Sequence, residues 1–136
     1  MMTQRNIHGE WTMSVEDRLV RSKVSGSTNK ELSLAWLKDL KTHLSFSSER
    51  ELEPWVLLLD CREWVGASQD AWETNNRNTD WMADNHCIFE AIVLPGKMQL
   101  FAAETELNDQ SIIHYFFSYG DALQACLDQL TELHHQ

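Results

Sequence analysis

The sequence predicts an α/β fold whose elements run ββαβαβαβα, giving a mixed, mostly parallel five-stranded sheet and four helices. Three observations predict it. A period-two segment opens the chain, two almost continuous apolar runs (55–59 and 91–94) lie in its middle, and apolar residues at helical spacing separate the strands.

Glu10 to Val15 alternates polar and apolar residues, as a strand with one buried face does. Glu16-Asp17 is a short polar break, and Arg18 to Val24 continues extended until Ser25-Gly26-Ser27. The two segments therefore read as an antiparallel hairpin. Thr28 and Glu31 have capping-box spacing, in which the hydroxyl accepts from an unpaired backbone N–H and the carboxylate reaches back to the cap. Leu32, Trp36, Leu40 and Leu44 follow at intervals of four and form the inner stripe of the first helix. Residues 45–53 read as a polar loop that Pro54 ends.

Trp55 to Asp60 is apolar enough for a central parallel strand buried on both faces. Ser68 opens a second helix, with Asp70 in its first turn and the polar run Asn75-Asn76-Arg77-Asn78 along it. Cys87 to Leu94 is the next apolar strand, closed by Pro95-Gly96. Lys97 to Leu107 reads as a helix with Leu100, Phe101, Glu104 and Leu107 at helical spacing. Ile112 to Phe117 is a fifth strand, rich in β-formers, and Asp121 caps a last helix with Leu123, Cys126, Leu127 and Leu130 inward. Crossovers between parallel strands are right-handed and place helices on the sheet faces. With neither repeat nor linker in 136 residues, the chain reads as one domain, 1–136, its core at about 7–133.

Composition narrows the functions. At 43% hydrophobic and 24% charged, the chain is globular and not disordered. Eleven Lys and Arg against 21 Asp and Glu leave a charge of −10, which repels phosphate backbones and argues against a nucleic-acid partner. The polar N-terminus (1–6) has no secretory pattern, and no apolar run approaches the ~20 residues of a membrane span, so no membrane insertion and a cytoplasmic location are expected. Cys61, Cys87 and Cys126 are widely spaced and odd in number, which reads as reduced, buried thiols.

The segments Trp55 to Gly66 and Phe117 to Leu123 resemble the apolar strand ending in Asp and the last strand–helix junction of the SpoIIAA-like fold, shared by anti-sigma factor antagonists (STAS domains) and a bacterial SpoIIAA-like subgroup. The resemblance spans about residues 7–133. It implies a non-enzymatic regulatory or protein-interaction module. In antagonists of this family the loop after the apolar strand carries an Asp-Ser-Ser/Thr-Gly motif, and phosphorylation of its serine switches partner binding by adding about −1.5 to −2 charge. Here that stretch is Gly66-Ala67-Ser68-Gln69-Asp70, so the motif is absent and Ser68 is its remnant. The fold also resembles the lipid-binding Sec14-like fold, which implies the alternative of a carrier or sensor of a small apolar ligand.

Four residues stand out as a binding set: Asp60, Trp64, Ser68 and Trp72. Ser68 reads either as a plain N-cap or as a phosphorylation site at an exposed helix start. Asp60 reads as a carboxylate satisfying turn N–H groups, or, with Cys61, Arg62 and Trp64, as part of a ligand site beyond a strand's carboxyl end. Six tryptophans (11, 36, 55, 64, 72 and 81) are many for this length. Trp64, Trp72 and Trp81 either seal the open end of the core or form a binding surface or pocket lining. No catalytic residues, metal ligands or cofactor follow from the pattern. His86 and Cys87 would point to opposite strand faces, and no paired spacing of Cys or His is present. The expected partners are a protein or a small apolar ligand, with the chain as monomer or homodimer.

Overall fold

A computed structural model describes residues 6–47, 54–108 and 111–134. The polar N-terminal stretch up to residue 5, the loop residues 48–53 and the tail at His135 lie outside them. Two strands, β1 (Glu10–Glu16) and β2 (Leu19–Thr28), pair antiparallel from Glu10↔Ser25 to Glu16↔Leu19. Asp17 turns the hairpin at φ 61°, a left-handed position that a short polar side chain tolerates. Then follow α1 (Lys30–Ser47), β3 (Trp55–Ala67), α2 (Gln69–Asp84), β4 (Cys87–Val93), α3 (Lys97–Glu106), β5 (Ile113–Phe116) and α4 (Tyr119–His134). The sheet order is β1-β2-β3-β4-β5, with every pair after the hairpin parallel.

This order fixes the layers. The crossovers through α1, α2 and α3 each step to the next strand in the same direction, and right-handed crossovers of that kind share one face. Accordingly Leu32, Trp36 and Leu40 of α1, Trp72 and Met82 of α2 and Ala103 of α3 form one core with Leu57 and Ile92 of the sheet. The opposite face is left to α4, where Ala122 and Cys126 cover Val56, Leu58, Ala91 and Val93. β3, buried on both faces between these layers, is apolar at consecutive positions for that reason.

Several boundaries differ from the sequence expectation. β2 runs through Ser25-Gly26-Ser27 to Thr28, because β3 is long enough to pair with it as far as Ala67. Thr28 is thus a strand residue and Asn29 is the cap, its Oδ1 accepting from the backbone N–H of Leu32 at 3.1 Å. α1 extends to Ser47 into the segment read as loop. On α3, Phe101 faces solvent with Met98, and Ala103 takes the inner position. The side chain that caps the start of α4 is Ser118, whose Oγ accepts from Asp121 N–H at 3.2 Å, while Leu127 lies on the outer side and Ala122 within.

Candidate functional site

The strand that carries the candidate residues does not stop at Asp60. β3 continues to Ala67 through two irregularities, each giving β3 one residue more than β2. Lys23 pairs with Asp60 and Ser25 with Glu63; Gly26 pairs with Trp64 and Ser27 with Gly66. An extra residue reverses the in-and-out alternation of a strand. Cys61 and Trp64 therefore share a face although their spacing is odd, and Val65, taken up in the second bulge, is thrown outward. An alternation test ends the strand at Asp60 because the bulges break its period.

On the helix-covered face of α1, α2 and α3 this geometry leaves a cavity of about 100 Å³. Val24 and Thr28 of β2, Leu59, Cys61 and Trp64 of β3, and Glu90, Ile92 and Leu94 at β4 form its floor. Leu32, Ser33 and Trp36 of α1 and Trp72, Asn75, Asn78, Thr79 and Met82 of α2 form its walls; Ala103 and Leu107 close the α3 side. Trp64 and Trp72 meet edge to face, ring centroids 5.5 Å apart and planes at 90°, in the arrangement that aromatic quadrupoles favour. Both are 8% exposed. Trp64 Nε1 donates to Thr28 Oγ1 at 3.2 Å, and that hydroxyl donates to Gly66 O, so the indole is held at its polar end.

One wall is polar and internally satisfied. Ser33 Oγ donates to Asn75 Oδ1 at 2.7 Å and Asn78 Nδ2 donates to Ser33 O at 3.0 Å, joining α1 to α2. The polar run that makes α2 look solvated is thus in part an interior seam. Across from it stands Glu90, 4% exposed, whose Oε1 is sealed from water with no hydrogen-bond partner. Burial pushes its carboxyl up to about 7. Burial likewise raises Cys61, Cys87 and Cys126 above the ordinary thiol value, so none is a ready nucleophile. All three thiols are free and buried, as their reading from the sequence has it.

The four predicted binding residues separate. Trp64 and Trp72 come together on the cavity, and Trp81 lies outside its lining, with Lys41 Nζ 4.9 Å from its ring centroid. Asp60 points to the opposite face, towards α4. Its two oxygens accept from Arg62 Nε and Nη2, each at 2.9 Å, and the Arg62 guanidinium lies 4.9 Å over the Tyr119 ring. That hydrogen bonding holds the Asp60 carboxyl below its ordinary value. Asp60 is therefore a mid-strand residue and not one beyond a strand end. Ser68 is exposed at the N-cap of α2, but its hydroxyl donates to Asp70 Oδ1 at 2.6 Å and makes no capping bond to the helix backbone. Glu90 is the residue that pattern reading passes over. The signal for it was a lone carboxylate within the apolar run of a central strand, a position that burial makes costly unless the group has a role.

Among the described residues no group of three or more His, Cys, Asp or Glu could hold a metal ion, and no helix is long and apolar enough to cross a membrane. No family model matches the chain, and no curated protein matches its sequence. Among the solved structures that resemble it are these two. One is an uncharacterized DUF3478-family protein with a SpoIIAA-like fold from Shewanella loihica PV-4, at TM-score 0.62 and 17% identity, covering 87% of this chain and 94% of that one. The other is an anti-sigma factor antagonist from Mycobacterium paratuberculosis, at TM-score 0.57 and 12% identity, covering 88% and 94% respectively. With a hairpin opening a sheet that then turns parallel, α1, α2 and α3 on one face and α4 on the other, this chain has the SpoIIAA-like α/β fold.

Proposed function

We propose that the protein is a non-enzymatic binding module that encloses a small, largely apolar ligand between its sheet and helices α1 to α3. The observation that carries this reading is the cavity walled by the Trp64–Trp72 pair. Ligand sites are typically concave and mostly apolar with a few polar groups, and the Ser33–Asn75–Asn78 seam and Glu90 supply those groups here. The burial of both indoles favours this role over a flat aromatic docking surface.

A regulatory role in the cytoplasm, as monomer or homodimer, fits the same reading. The mycobacterial protein is by its name an antagonist of an anti-sigma factor, which makes a protein partner a natural second ligand for this fold. In this chain the exposed start of α2, at Ser68 to Asp70, would meet such a partner. It is one residue beyond the strand that carries Trp64, so a filled cavity and the outer contact would be mechanically linked. Phosphorylation of Ser68 would add negative charge beside Asp70 and break a complementary surface there.

Native mass spectrometry of the purified protein tests the ligand role. A retained small-molecule mass, lost when Ala103→Phe fills the cavity, is the expected result; apo mass alone across expression conditions overturns it. For the partner role, cross-linking at position 69 should capture a protein whose yield falls on Ser68→Glu.

A further inference from the structure

Resting on the ligand-binding reading above, we propose that the cavity selects a small molecule with an apolar body and one protonated amine, and that the Glu90 carboxylate binds that amine. Among the described residues Glu90 is the only charged side chain in the lining, and its Oε1 is enclosed without a partner there. An isolated buried carboxylate is expensive, and a cation within hydrogen-bond reach is what relieves it. The surroundings supply none. Around the same cavity stand Cys61 of β3, Ser33 of α1, Asn78 and Thr79 of α2 and Ala103 of α3, none of them a cation. The raised carboxyl value is the counterpart of this missing charge.

A metal ion is a poor complement, since hard cations gather several oxygen ligands and Glu90 is the only carboxylate among the described lining residues. An amine needs one carboxylate, and its alkyl body suits the aliphatic and aromatic side chains of the lining. The net charge of −10 also enriches cations around the molecule. Size restricts the body. About 100 Å³ lies below the roughly 150 Å³ of an engineered cavity that admits benzene. A short alkylamine fits that space.

Binding of n-butylamine, n-butanol and butyrate, which share one chain and differ in charge, tests the proposal by calorimetry and by amide chemical shifts at Trp64, Trp72 and Glu90. The expected result is butylamine at least about tenfold tighter than butanol at about pH 8, with butyrate weakest. Glu90→Gln should bring amine and alcohol within about threefold of each other while butanol binding persists, and Glu90→Leu is a second variant should the amide perturb folding. Equal binding of amine and alcohol to the unsubstituted protein, or an amine preference that survives both variants, overturns the role of Glu90 and leaves the cavity reading standing. No binding of any of the three overturns both.

Discussion

Glu90 links stability to pH in a direction opposite to that of most carboxylates. Its folded-state value of about 7 stands above the ordinary 4.5, so the folded chain holds this proton more tightly than the unfolded one. Its contribution is therefore most favourable below about pH 4.5, weakens as pH rises through 7 and stays weak above. The full effect is on the order of 3 kcal/mol. Glu90→Gln should accordingly stabilise the apo protein by about 1–3 kcal/mol at about pH 8.5 and change little at about pH 4.5, read from urea unfolding at the two pH values. Asp60 works the other way. Its bonding to Arg62 lowers its value, so its contribution is present above the ordinary carboxylate range and fades as pH falls below it. At Ser68 the hydroxyl makes no capping bond, so Ser68→Ala should cost less than about 0.5 kcal/mol, whereas Asn29→Ala, which removes a true cap, should cost about 1 kcal/mol in the same assay.

At the scale of elements, what the sequence made legible is what obeys a period. The stripe Leu32, Trp36, Leu40 and Leu44 is wholly buried, as its spacing requires. The apolar runs at 55–59 and 91–94 are central strands because only a doubly covered strand needs apolar residues at every position. Features that break a period were not legible. The bulges of β3 hid Trp64 within what looks like a loop, and the polar run of α2 gave no sign that Asn78 is buried against the Ser33 carbonyl of α1 or that buried Thr79 bonds back to Asn75 of its own helix. Glu90 was hidden for a third reason: its place in an apolar strand marks it as buried, but nothing local says that it lines a cavity. Where β1 begins, Gly9 sits at φ +93°, and a Cβ there would stand 2.9 Å from Thr28 Cγ2 and 3.0 Å from both Leu32 Cδ1 and Ser25 O. Gly9→Ala should thus destabilise the junction of β1, β2 and α1 by about 1–3 kcal/mol in chemical denaturation.

The described residues form two unequal layers on one sheet, with α1, α2, α3 and the cavity on one side and α4 on the other. The candidate chemistry follows that inequality. A lone helix packs directly on β3 and β4, whereas the three helices that share the other surface leave room between them. The three thiols are distributed across these layers. Cys61 and Cys87 belong to the cavity side and Cys126 to α4, and burial disfavours the thiolate at each. Alkylation of each therefore waits for its own layer to lift, which makes the thiols built-in clocks. Under dilute reagent near neutral pH, Cys126 should time the departure of α4, and Cys61 the opening through which a ligand enters. If the cavity breathes while the rest of the fold stays closed, Cys61 reacts first, and a bound ligand slows that one clock and leaves the Cys126 rate unchanged.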